Sequence, residues 1–171
     1  MERLNVNPTR MMLTTLKRRL VTARRGHKLM KDKRDQLMKG FLELARENKR
    51  LREEVEQELS RVYESFSVAS AVMSQEVMEE ALMFPKQGVD LSVTGKNVMS
   101  VDVPQFSFET TAEDSSDIYP YGFASTSGEL DAAIAGLARA LPAMLDLAAK
   151  EKEAAMLAAE LEKTRRRVNA L

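Results

Sequence analysis

The sequence contains no cysteine, no tryptophan and a single histidine, and aromatic residues make up only 5 % of its 171 positions. Without cysteine there is no disulfide framework, no thiol nucleophile and no zinc–thiolate site. A lone histidine excludes His-cluster metal centres and leaves a His-based triad without support. No stretch approaches the roughly 18 apolar residues that span a bilayer, and the N-terminus lacks the apolar core of a signal peptide. A soluble intracellular protein is expected. Walker loops, dinucleotide fingerprints, HExxH and GxSxG are also missing, so no cofactor, metal or catalytic residue is expected. What the chain does have is 30 % charged and 44 % hydrophobic residues. That balance suits long helices better than a compact sheet enzyme.

The formal net charge is zero, but its distribution is not even. Residues 1–39 hold 12 Lys/Arg against Glu2, Asp32 and Asp35, a net +9. Residues 64–131 hold Lys86 and Lys96 against 12 acidic residues, a net −10. The first segment presents a concentrated positive field suited to an acidic partner, or the solvated face of a charged helix.

Apolar residues recur at alternating steps of three and four from residue 13. The row is Leu13, Leu16, Leu20, Ala23, His27, Met30, Arg34, Leu37, Phe41, Leu44, Asn48, Leu51 and Val55. Such a row is the signature of a coiled-coil helix, and Asn48, like Arg34, fixes register at some cost in stability. The step Leu51–Val55–Leu59 inserts a stutter. The pattern then passes through Val62, Phe66, Ala69, Met73 and Val77 to about Met83 and stops at Phe84-Pro85. Proline disfavours helix at the preceding residue. With Thr9 or Asn7 as cap, one helix over about 10–83 would be roughly 110 Å long. Such a helix needs a partner along its length.

Residues 85–127 have another texture. Val89, Leu91 and Val93 alternate with polar residues up to Thr94-Gly95-Lys96-Asn97, and Val98, Val101 and Val103 lead to Pro104. Two β-rich runs about a glycine-containing turn predict a hairpin over 86–104. Residues 105–128 read as a loop with an aromatic cluster of Phe106, Phe108, Tyr119, Tyr121 and Phe123. The cluster is either local packing or a contact surface. Ser127 or Ser125 caps a second helix from about Glu129, with Leu130, Ile134, Leu137, Leu141, Leu157, Leu161 and Val168 on its apolar stripe. Pro142 predicts a kink in it rather than a restart.

The fold class is therefore mainly α: a long antiparallel two-helix coiled coil with a short β-hairpin and loop region between the helices. The segments are 1–84, 85–127 and 128–171. The core positions are Leu13, Leu16, Leu20, Leu37, Phe41, Leu44, Leu51, Val55, Leu59, Leu157, Leu161 and Val168. The second helix is shorter, so residue 171 should come alongside roughly residue 40. Residues 10–40 then keep an apolar stripe without a partner in the chain, which calls for a missing segment, an oligomer or another protein.

Several residues invite a chemical role and are read more plainly. Glu53/Glu54 and Glu79/Glu80 belong to solvated helix faces. Met11, Met12, Met30, Met38, Met73, Met78 and Met83 lie in or beside apolar stripes as adaptable packing. His27, beside Arg24, Arg25 and Lys28, is a packing or interface residue. A basic leucine zipper is suggested by the basic block and by Met30, Leu37, Leu44 and Leu51 at seven-residue spacing. Against it, Leu13, Leu16 and Leu20 carry an apolar stripe through the basic block, where a DNA-reading helix needs polar residues all round. Gly26 also weakens an isolated recognition helix. No nucleic-acid partner is expected.

Four stretches carry a resemblance. Leu4-Asn5-Val6-Asn7-Pro8-Thr9-Arg10 and Arg25-Gly26-His27-Lys28-Leu29-Met30-Lys31-Asp32-Lys33-Arg34-Asp35 come first, then Val98-Met99 with Val101-Asp102-Val103-Pro104, then Lys163-Thr164-Arg165-Arg166-Arg167-Val168-Asn169-Ala170-Leu171. Together they resemble the central-stalk D subunit of V-type (archaeal/bacterial A/V-type) rotary ATPases, collinearly over the whole chain. The resemblance implies a non-catalytic central rotor shaft that transmits torque between the ATP-hydrolysing A/B ring and the membrane ion-translocating rotor. It implies as partners the small rotor F subunit, the A/B catalytic hexamer and a funnel-shaped subunit on the membrane ring. The location implied is cytoplasmic, peripheral to the membrane as part of the ATPase complex, with no direct membrane insertion. Arg24, Arg25, Lys28, Lys31, Arg165, Arg166 and Arg167 are the candidate contacts to the ring. The hairpin would face the small rotor partner or the lower ring surface. Family members continue several turns beyond the Arg-Arg-Arg-Val-Asn-Ala-Leu segment, which reads as a shortened C-terminal helix. The alternatives are a stand-alone coiled-coil scaffold or adaptor and a DNA-binding zipper.

Overall fold

The computed structural model describes residues 7–111, 118–122, 124 and 126–170. Five elements follow one another: α1 (Arg10–Val72), α2 (Gln75–Leu82), β1 (Val89–Val98), β2 (Val101–Thr110) and α3 (Gly128–Ala170). The fold is mainly helical, with a two-stranded antiparallel sheet between two long helices. It divides into two compact units. One comprises the described residues up to Leu42 with those from Leu157; the other is Glu43–Met156.

Each helix starts where a hydroxyl meets the first free N–H groups. The Met12 N–H donates to Thr9 Oγ1 at 3.3 Å. The Leu130 N–H donates to Ser127 Oγ at 3.4 Å, which selects Ser127 as the cap of α3; Ser125 lies outside the described residues. The expected single helix over 10–83 is interrupted. α1 ends at Val72, and Ser74, in an extended conformation, accepts from the Val77 N–H and starts α2. A serine cap offers the backbone an alternative to helix continuation. α3 runs through Pro142 without a restart.

The hairpin exists, but its turn is not at Gly95. Val98 pairs with Val101, and Met99 and Ser100 form the turn with φ of 52° and 69°. Two successive left-handed residues define the tight turn whose twist matches that of the strands. Asn97 supports it, accepting from the Ser100 N–H at 3.2 Å and donating to Asp102 Oδ1 at 2.7 Å. Gly95 lies inside β1 opposite Pro104. Residues 105–110, expected to be loop, continue β2, so Phe106 and Phe108 belong to a strand opposite Val93 and Leu91.

Within the second unit α1 and α3 run antiparallel. Ala69 clusters with Leu130, Val62 faces Gly136, and Asn48 bonds the Lys150 carbonyl. The first unit shows the same pairing through Lys33 and Glu160, 3.5 Å apart. Small residues on α3 permit close approach: Ala133 and Ala140 are buried. By length and composition α3 is also apolar enough to cross a membrane, the one such helix among those described. Arg139 and Asp146 interrupt that apolar stretch.

Candidate interaction surfaces

In the first unit, Leu37 is completely buried and Leu161 and Val168 nearly so, around a fully covered Thr164. Leu157 is buried in the same unit. Glu160, mostly covered, lies 3.5 Å from Lys33 and 3.8 Å from Lys163. Arg34 pairs with Asp35 at 2.6 Å, and Arg166 with Glu162. Those four cations are matched.

The other described basic residues of this unit are not. Arg24, Arg25, Lys28, Lys31, Arg165 and Arg167 are exposed and make no ion pair among the described residues. The fold thus gathers both basic stretches, far apart in sequence, into one compact unit. Among the described residues Arg166 alone of the seven ring-contact candidates has a carboxylate partner, and that partner is local.

The expected apolar row meets a boundary here. Leu13 and Leu20 are about half exposed and Leu16 is half-buried, while Leu29 and Met11 are still more open. Leu13 and Leu20 are therefore not core in this chain; no described residue covers them. His27 is exposed as well, which removes its packing role. Further along, Phe41 and Leu59 are half-buried, and Leu44, Leu51 and Val55 are buried.

In the second unit a polar belt crosses the helix pair. Lys150 Nζ lies 2.6 Å from Glu47 Oε1 and 3.3 Å from Asp146 Oδ2. The hydrogen bond from Lys150 holds the Glu47 carboxyl below its ordinary range, and Glu47 in turn raises the Lys150 ammonium. Arg52 donates to Glu151, which raises its already high pKa. Asn48 Nδ2 donates to the Lys150 carbonyl at 3.3 Å, while its buried Oδ1 has no partner among the described residues. Glu53 and Glu54 sit on the solvated face with Lys49 and Arg50 one turn earlier.

Ala69, Met78, Ala81 and Leu130 form a buried cluster, flanked by Met73, Tyr121 and Ile134. The Tyr121 hydroxyl donates to Asp131 Oδ1 at 2.8 Å; burial and that carboxylate push its pKa up. Tyr121 is thus a local packing residue, with Tyr119 tilted against it. Phe123 lies outside the described residues. Beside this cluster Tyr63, Phe66, Leu82 and Leu137, all exposed, line an apolar cavity of about 300 Å³. Sequence reading missed it. On a continuous helix Leu82 would lie about 24 Å beyond Phe66; the break at Met73-Ser74 returns it to the same groove. The signal was Ser74, with Val77 three residues on, in a cap's position.

Among the described residues no group of three or more His, Cys, Asp or Glu side chains could hold a metal. Both surfaces suit contacts with other macromolecules, one through unmatched cations and the other through apolar side chains.

Comparison with known proteins agrees in placing the chain. The family model for the ATP synthase D subunit matches residues 12–171. A V-type ATP synthase D subunit from Acetivibrio thermocellus is 61 % identical over 168 residues, covering 98 % of this chain and 76 % of that protein. The V-type ATP synthase D subunit of Clostridioides difficile is 60 % identical over 171 residues, covering all of this chain and 77 % of the relative. The one from Thermoanaerobacter sp. is 56 % identical, covering all of this chain and 81 % of the relative. With two long helices about a short hairpin and likeness along its length, the chain belongs to the ATP synthase D-subunit family, whose members include these V-type ATP synthase proteins.

Proposed function

We propose that the chain is the non-catalytic central rotor shaft of a V-type ATPase/ATP synthase. It transmits torque between the ATP-hydrolysing A/B ring and the membrane ion-translocating rotor. The observation that carries this reading is the set of six exposed, unmatched cations gathered into one unit from opposite ends of the sequence: Arg24, Arg25, Lys28, Lys31, Arg165 and Arg167. A shaft that turns inside a ring must hold it without locking one angle. Solvent-exposed charges do this well, because each surface pair contributes only about 0–1 kcal/mol and can be exchanged for the next. The half-exposed Leu13, Leu16 and Leu20 support the same reading, as an apolar seam for a further partner in the assembly.

The partners in this reading are the A/B hexamer at the basic unit, the small rotor F subunit, and the funnel-shaped subunit of the membrane ring. Segment 1–84 carries the shaft helix α1 and the short α2, 85–127 serves as a contact module and 128–171 as the returning helix. The experiment is to replace Arg24, Arg25 and Lys28 together by glutamine and reconstitute the complex. Assembly with the ring, or coupling of hydrolysis to ion transport, should weaken. Wild-type affinity, hydrolysis and coupling in that variant would remove the assignment.

A further inference from the structure

Apolar packing alone does not fix how far α3 is slid along α1 in the unit Glu43–Met156. On α3 the residues recurring at steps of three and four are Ala140, Ala143, Leu147, Lys150 and Ala154, all buried or half-buried. On α1 the matching row is Leu44, Asn48, Leu51 and Val55. A row that repeats every seven residues is satisfied at more than one register. Sliding α3 by one heptad, about 10 Å, exchanges one small or aliphatic side chain for another everywhere except at Lys150. Lys150 is held at both ends by consecutive residues of α1. Its Nζ lies 2.6 Å from Glu47 Oε1, and its backbone carbonyl accepts from Asn48 Nδ2 at 3.3 Å. Asp146, one turn earlier on α3, lies 3.3 Å from the same ammonium. Arg52 Nε, one turn further on α1, donates to Glu151 Oε1 at 3.2 Å.

We propose that Lys150, clamped between Glu47 and Asn48, is the register lock of this helix pair: it selects one stagger of α3 along α1 and lowers stability in doing so. A slide of seven residues either way sets Glu47 and Asn48 level with Ala143 or Leu157, and Arg52 level with Met144 or Ala158. None of these carries a charge, so both cross-helix ion pairs are lost together. The cost is visible at Asn48, whose Oδ1 is buried without a partner among the described residues. An unsatisfied buried acceptor destabilises the fold that holds it. A polar residue in an apolar seam that weakens the structure and excludes its alternatives is a specificity device. Arg34, the other charged member of the α1 row, is not one, because it bonds its own neighbour Asp35 and no described residue of α3.

The test is a spin-label distance measurement on the full chain, which has no native cysteine. Gln57→Cys on α1 and Ala155→Cys on α3, both exposed, take the labels. They are offset by about 20 Å along the helices in the native register, so a one-heptad slide moves their distance by about 7 Å or more. The labelled but otherwise native chain should give one distance. Asn48→Leu with Lys150→Leu removes the clamp; it should raise the urea midpoint and add a second distance at least that far from the first. Asn48→Leu with the exchange Glu47→Lys and Lys150→Glu keeps an ion pair at the native stagger and should return the single distance. One unchanged distance in the variant without the clamp overturns the proposal, as does a second distance in the charge-exchanged variant. Loss of helix content in the variant without the clamp overturns it as well, because these residues would then hold the fold rather than choose its register. The chain is measured alone, so the outcome is independent of the rotor assignment.

Discussion

Gly136 on α3 faces Val62 on α1 so closely that a Cβ at position 136 would lie 2.8 Å from the Val62 Cγ2. Val62 is β-branched, with one preferred rotamer in a helix, and cannot swing aside. The glycine is therefore a contact device, in the middle of a helix where glycine is otherwise unfavourable.

Gly136→Ala should destabilise the chain despite alanine's better helix propensity. Overpacking costs about 1–3 kcal/mol and the propensity returns at most about 1. A net loss of about 1 kcal/mol, read from urea unfolding, is expected. Adding Val62→Ala makes room and should recover part of it. A stabilised single variant would show that the helices do not meet here.

The turn offers the opposite test. Met99 and Ser100 adopt left-handed conformations, which cost a non-glycine residue about 1–2 kcal/mol each. Asn-Gly is the preferred pair for this turn. Met99→Asn with Ser100→Gly should raise stability by about 1 kcal/mol and slow amide exchange in β1 and β2. Faster exchange would mean that the turn lies elsewhere.

A third expectation concerns pH. The Glu47 pKa is lowered from 4.5 and the Lys150 pKa raised from 10.5 by their mutual contact. For Glu47, stability is present above the unfolded value and is lost as pH falls through the depressed folded value. For Lys150, stability is present below the unfolded value and is lost as pH rises through the raised folded value. Both residues are partly exposed, so solvent screening limits the pair to about 0–1 kcal/mol. The difference in unfolding free energy between wild type and Lys150→Met should be flat near neutrality and shrink at both extremes. A difference that grows in acid would contradict the pairing.

Much of the fold is legible in the residues, for reasons that can be named. Leu37, Leu44, Leu51 and Val55 are buried because steps of three and four keep them on one face. Asn48 broke that row and indeed reaches across to α3. The turn was misplaced because Gly95 is the local glycine, whereas Met99-Ser100 carries none of the residues that usually mark such a turn. Its geometry is imposed by pairing along ten residues on each side, Val89 with Thr110 through Val98 with Val101, which outweighs local preference. The α1–α2 break was hidden because the apolar spacing continues through Met73 and Val77. At the basic surface the cations could be counted in advance. Which were matched could not, because Glu160 reaches Lys33 only once α3 lies beside α1.

The rotor assignment is tested most directly by watching the chain turn. With no native cysteine, a single one introduced on the exposed face of the hairpin, at Ser92, can carry a bead while the A/B ring is fixed to a surface. Under ATP the bead should rotate continuously in one direction, and stop when ATP is withdrawn. A bead that stays still, or only jitters, while the ring hydrolyses ATP at its full rate would show that this chain does not carry the torque.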